Sequence, residues 1–114
     1  MRWYGRLRRS PEIAYVRRSG RRTRAGSFSL YAAPPGREGG TTVAIAVPAE
    51  VGGAVVRNRI RRRLRGALDA TARRPAGRLF FVAHQPAATA GYAELAAQVE
   101  RALAQLVIEL ARVH

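Results

Sequence analysis

Residues 51–68 read VGGAVVRNRIRRRLRGAL, and they hold six arginines and the chain's single asparagine. At about 3.6 residues per turn, Val56, Ile60, Leu64, Ala67 and Leu68 fall on one stripe, so the spacing predicts a helix that docks on a core through that stripe alone. Arg61, Arg65, Asn58 and Arg62 occupy one flank and Arg59 and Arg63 the other. Arginines four residues apart (57 with 61, 61 with 65, 59 with 63) repel, each pair costing on the order of a few tenths of a kcal/mol. Arg57 and Arg59 in the first turn also oppose the positive end of the helix dipole. An external polyanion would offset both, because planar guanidinium forks match phosphate oxygens and Asn58 both donates and accepts. An ordinary charge run is a solvated face. Here no acid occurs between Val51 and Ala67, and that one-sidedness favours a phosphate-facing surface.

The 114 residues make one domain with a single core, 1–114, in which residues 1–9 are expected to be a flexible basic arm. All 21 basic residues are arginine, against 7 acids, for a formal net charge of +14. That balance in a chain 47% hydrophobic describes a folded nucleic-acid binder rather than a disordered tail. The choice of Arg over Lys is also what a high-GC genome produces. Without cysteine there are neither disulfides nor thiolate metal sites, which is compatible with a reducing cytoplasm. No apolar run has the length of a signal-peptide core or a membrane span, so no membrane partner is expected.

Ser10, Pro11 and Glu12 resemble an N-cap followed by proline, predicting a first helix over 11–19 that stops at Gly20. Residues 21–26 are expected to be a basic connection. Residues 27–33 alternate, with Phe28 and Leu30 on one face and Ser29 and Tyr31 on the other, as in a strand. After a loop at 34–40, residues 41–47 alternate again, Val43, Ile45 and Val47 against Ala44 and Ala46, and Pro48 ends that strand. The arginine helix frays near Thr71. Residues 79–84 are apolar on both faces and hence central in a sheet. A turn at 85–91 leads to a long amphipathic helix over 92–113, with Tyr92, Leu95, Val99, Leu103, Leu106, Leu110 and Val113 at helical spacing.

A protein nuclease needs clustered carboxylates for magnesium or a histidine pair for acid and base work. Glu12, Glu38, Glu50, Asp69, Glu94, Glu100 and Glu109 are scattered, His84 stands alone near a strand end, and His114 is the last residue. No P-loop, GxGxxG or zinc spacing occurs. No catalytic side chain, protein metal ligand or small-molecule cofactor is therefore expected. A second candidate site is a stacking groove for single-stranded RNA, built from Tyr31, Tyr15 and Arg17, although a strand tyrosine beside a helix is equally often half-buried core.

The run Ala54-Val55-Val56-Arg57-Asn58-Arg59-Ile60-Arg61-Arg62-Arg63-Leu64-Arg65 closely resembles the signature helix of the protein subunit of bacterial ribonuclease P. The first helix before Gly20, the strand Phe28-Ser29-Leu30-Tyr31, the strand Val43 to Val47 leading to Val51-Gly52, the Phe80 to Ala83 strand with Pro86 after it, and Tyr92-Ala93-Glu94-Leu95 also follow the family's order and spacing. The resemblance implies an α/β (α+β) sandwich of order αβββαβα, with a mixed sheet and a left-handed βαβ crossover, similar to a domain of ribosomal proteins. It implies that the catalyst is a large RNA. The protein would bind that RNA through Arg57, Asn58, Arg59, Arg61, Arg62 and Arg65, and hold the 5′ leader of precursor tRNA in a cleft lined by Ile13, Arg17, Phe28 and Tyr31. The holoenzyme would remove the leader by Mg2+-dependent hydrolysis in the cytoplasm, the metal bound mainly by RNA.

The chain departs from the family pattern in several places. Ile13 and Arg17 stand where two phenylalanines usually face the cleft, Pro48-Ala49-Glu50 replaces a Ser-Lys-Lys, Gly53 replaces a basic residue, Gly66 an acid or amide, and His84 an arginine. Arg17 can offer its guanidinium plane in place of a ring. The alternative is a non-catalytic structural RNA-binding protein of ribosomal type, which would bind RNA without affecting tRNA processing. A self-contained nuclease is a third reading, opposed by the scattered acids.

Overall fold

The computed structural model describes residues 2–37 and 39–112. Its elements run β1 (Gly5–Arg6), α1 (Ser10–Ser19), β2 (Arg21–Arg24), β3 (Phe28–Ala33), β4 (Thr41–Ala46), α2 (Ala54–Ala70), β5 (Gly77–Ala83) and α3 (Tyr92–Arg112), with short 3-10 turns at Ala49–Val51 and Gln85–Ala88. From α1 onward this is the expected αβββαβα order, preceded by one extra short strand. The five strands form a single mixed sheet in the order β1-β4-β5-β3-β2. β4 is parallel to β1 and β5, while β3 is antiparallel to β5 and β2. β5 thus lies in the middle, as its two apolar faces require.

Period-2 alternation sorts the two faces. Phe28, Leu30, Val43, Val47, Leu79 and Phe81 face α2 and α3, where they meet Ile60, Leu64, Leu68, Leu95, Val99 and Leu103. Phe80, Val82 and Ala33 face the other way, toward Val16 of α1 and Leu7. Ile60, Leu64 and Leu68 are fully buried. Each contributes about 1.5–3 kcal/mol, well above the repulsion among the helix arginines, so packing decides that α2 forms. Tyr92, placed by its spacing on the buried stripe of α3, is exposed instead, with the edge of its ring beside Gly66 of α2. The stripe positions Leu110 and Val113 lie outside the described side chains.

Three local expectations are corrected, and a fourth holds for a different reason. The N-terminal segment is not a free arm: Gly5 and Arg6 pair with Thr42 and Val43, and Leu7 is buried. Arg9, not Ser10, is the N-cap of α1, and no side chain caps the helix. Ser10 lies inside the first turn with Pro11 behind it. Gly20 does end α1, but with φ −78° it is extended rather than left-handed. Glycine is needed there for proximity, since a Cβ would come within 2.5 Å of the Val16 carbonyl oxygen and 2.7 Å of that of Ala32. Finally, the stretch expected as a basic connection contains an edge strand, β2, joined to β3 through a short loop in which Gly26 takes φ +77°.

Candidate nucleic-acid interface

The approach to α2 is set by β4, which ends at Ala46; Pro48 then opens the Ala49–Val51 turn, in which Val51 is buried. With the Ile60 and Leu64 stripe against the sheet, the two arginine flanks are presented separately. On one flank, Arg59 donates to the Ala88 carbonyl oxygen at 2.9 Å and Arg63 to that of Ala90 at 2.8 Å. These two arginines fasten the 85–91 connection to the helix. On the other, Asn58, Arg61, Arg62 and Arg65 line a single groove with Arg2 and Asp69. Arg61 donates to Asn58 Oδ1 at 3.2 Å within this group. The Nε atoms of Arg57 and Arg59 are buried without a hydrogen-bond partner.

Sequence reasoning missed the N-terminal contribution to this groove. Arg2 forms an ion pair with Asp69 (3.0 Å), Tyr4 donates to the same carboxylate (3.3 Å), and Trp3 Nε1 donates to the Leu68 carbonyl oxygen (2.8 Å). The Trp3 bond adds a second, shorter donor to a carbonyl of the last turn of α2 that otherwise accepts only the capping Thr71 N–H at 3.4 Å. Arg74 lies over the Trp3 ring at 5.9 Å and Arg2 over that of Tyr4 at 5.6 Å. The bond to Asp69 raises the Arg2 pKa, and burial followed by the Asp69 charge raises that of Tyr4. The signal available in sequence was the lone tryptophan within a segment otherwise composed like an arm.

The second candidate site lies between α1 and the sheet face opposite the main core. Ile13, Tyr31, Ala44 and Ala46 are partly buried there around Val16, Phe80 and Val82. Arg17 stacks over Tyr31, its guanidinium carbon 5.8 Å from the ring centroid, and Tyr31 packs on Phe80 at 6.2 Å. Three of the four expected cleft residues are therefore together. Phe28 is not among them: it is 0% exposed, on the opposite face of β3, with its ring 5.4 Å from that of Phe81. Alternation along β3 forbids Phe28 and Tyr31 from sharing a face. Tyr15 is exposed, 5.1 Å beneath the Arg78 guanidinium, which also pairs with Glu12 at 3.4 Å. His84 shares a hydrogen bond of 2.8 Å with Ser29 Oγ. Burial, then the charges of Arg24 and Arg22, hold its pKa below the usual histidine value.

The family model for ribonuclease P matches residues 1–107. The chain belongs to the ribonuclease P protein family. It is 44% identical over 108 residues to the ribonuclease P protein component of Acidothermus cellulolyticus, covering 89% of this chain and 87% of the relative. To that of Roseiflexus sp. (strain RS-1) it is 40% identical over 101 residues, covering 86% and 82%. The fold matches the RNase P protein of Staphylococcus aureus with a TM-score of 0.79 at 19% identity, over 93% and 96% of the two chains. That of Thermotoga maritima matches with a TM-score of 0.76 at 16% identity, over 86% and 94%.

The chain is thus a protein component of ribonuclease P, part of the enzyme that matures tRNA 5′ ends, and ribonuclease P RNA is its partner. Among the described residues no three histidine or carboxylate side chains gather to hold a metal ion, and Glu12 and Asp69 already face arginines. No described helix is long and apolar enough to cross a membrane.

Proposed function

We propose that this ribonuclease P protein binds the catalytic RNA through α2, using Arg57, Asn58, Arg59, Arg61, Arg62 and Arg65, and holds the precursor-tRNA 5′ leader between α1 and the sheet. The observation that carries the reading is the groove in which Asn58, Arg61, Arg62 and Arg65 converge on one side of a helix whose other side is fastened to the core. Arg59 contributes from the far flank, where its bond to Ala88 fixes the guanidinium. In the cleft, Tyr31 with Arg17 stacked on it offers a base a π surface and a cation together, and Ile13 adds an apolar wall. Small Ala44 and Ala46 leave room above the sheet.

The described carboxylates do not form a magnesium site, so the metal belongs to the RNA in this reading, and the chain's work is to bind, orient and screen charge. Arginines set between two RNA molecules reduce their phosphate repulsion and with it the Mg2+ concentration needed. The whole chain acts as one domain, 1–114, in the cytoplasm. The test is cleavage of precursor tRNA by a bacterial ribonuclease P RNA at low Mg2+, with and without this protein, using substrates with and without a leader. Rescue of correct 5′-end cleavage, larger for leader-bearing substrate, is expected. Tight RNA binding without rescue would instead leave a general RNA-binding protein.

A further inference from the structure

Beyond α2, the described surface carries a second concentration of arginine, on the N-terminal strap. A groove at the other end of the strap from α2 is lined by Arg6, Arg8, Arg9, Arg37 and Arg78. A central groove along β1 and β4 joins it to the groove beside α2. The central groove shares Arg2 and Arg65 with the one beside α2, and Arg6 and Leu7 with the one at the far end. Nine arginines and two described carboxylates line the three together. Both carboxylates already have an arginine partner, Asp69 with Arg2 and Glu12 with Arg78. Arg6, Arg8, Arg9 and Arg37 have no ion pair among the described residues, and Arg6, Arg8 and Arg9 are exposed. The strap is fixed rather than free, pinned by the Trp3 bond to Leu68, the Arg2 pair with Asp69 and the β1 pairing. Its cations are therefore held in register with those of α2.

We propose that the N-terminal strap is a second phosphate-binding surface, continuous with the arginine flank of α2, and that the sugar-phosphate backbone of the catalytic RNA runs along both. The inference rests on the reading of α2 as the RNA-subunit helix. The catalytic RNA is favoured over the leader because the cationic lining continues through Arg2 and Arg65 to α2. Toward the leader cleft the central groove instead meets Ile13 and Ala44, which carry no charge. Neutralising phosphates releases condensed counterions, so each strap contact adds to the salt dependence of binding.

The test measures affinity of the full chain for a bacterial ribonuclease P RNA over a salt series, with no precursor tRNA present. Arg6→Ala, Arg8→Ala and Arg9→Ala combined should lower the slope of log K against log salt by about 2, at roughly 0.7 per lost contact. The same three positions changed to Lys should keep the slope. Arg8→Gln with Arg9→Gln, outside the β1 pairing, repeats the measurement without altering the strand and should remove about 1.4 by the same arithmetic. A wild-type slope in the alanine and glutamine variants overturns the proposal. A second series adds leader-bearing precursor, and a loss that appears only there also overturns the proposal, giving the strap to the leader. Arg61→Ala with Arg62→Ala serves as the control for the underlying reading. If that variant loses slope and the strap variants do not, the strap alone is wrong. If it keeps its slope, the assignment of α2 falls.

Discussion

The free flank of α2 and the cleft under α1 are both candidate RNA surfaces, but they are built on opposite principles. The α2 flank is charge on a rigid rod: Asn58, Arg61, Arg62 and Arg65 project from a helix whose Ile60, Leu64 and Leu68 are fully buried, and among the described residues Asp69 is the only acid lining their groove. The cleft is shape with a little charge: a tyrosine, a stacked arginine, two alanines and an isoleucine over the minor core. A surface of the first kind grips phosphate without regard to sequence or base. One of the second kind takes an unpaired base, because a π face needs a ring to lie on it. The difference predicts that the two sites respond to different perturbations.

The largest effect is expected on the α2 side. Replacing Arg57 and Arg61 together by Ala should weaken binding of the RNA subunit by roughly 3–6 kcal/mol, two sets of charge-assisted hydrogen bonds, and flatten the salt slope by about 0.7–0.9 per lost contact. Leader discrimination should not change. An unaltered slope would break the comparison at its first term. Next comes Phe28→Ala, which tests where the cleft ends. Truncating a fully buried ring should cost about 3–5 kcal/mol in urea unfolding. The milder Phe28→Leu should leave the affinity ratio of leader-bearing to leaderless precursor at the wild-type value. A shifted ratio would put Phe28 back in the cleft. Tyr31→Ala should cost about 1–3 kcal/mol for leader-bearing precursor and nothing for leaderless substrate, with Tyr31→Phe close to wild type. Equal losses on the two substrates would mean that Tyr31 only holds α1 in place.

Much of the α2 site was legible in sequence because helical periodicity and sign bias are local properties. The stripe through Ile60, Leu64 and Leu68, the sorting of flanks and the central position of β5 all follow from spacing. What was not legible depended on partners distant in the chain. β2 is RRTR, with no apolar alternation, since an edge strand need not bury either face, and its pairing with β3 is supplied by backbone groups and the Gly26 loop. The docking of residues 2–7 depends on the Leu68 carbonyl and the Asp69 carboxylate, more than 60 positions away. Spacing sets Arg59 and Arg63 on the other flank from Arg61 and Arg62, but what that flank meets, the carbonyls of Ala88 and Ala90, is not written in α2. Phe28 was the opposite case, an error the alternation itself contained, since its own phase set it against Tyr31.

The smallest effect separates the two regions by pH. No histidine lines the α2 groove, whose cations are arginines. The sheet face of the cleft carries His84, bonded to Ser29 and facing Arg22 and Arg24, with its pKa lowered by burial first and those charges second. Between the ordinary histidine value of 6.5 and the lower folded-state value, the unfolded chain binds more protons than the folded one. The stability tied to a neutral His84 is therefore complete above that ordinary value and is lost as pH falls through the window to the folded pKa. His84→Gln removes the titration, so its unfolding free energy should fall less than that of the wild type between pH 7.5 and pH 5, the carboxylates contributing equally to both. Parallel curves would mean that the Ser29 bond and the two arginines do not hold the ring neutral. A protonated ring would add a third cation to that rim, and the contrast between a charged helix and a nearly neutral cleft would narrow in acid.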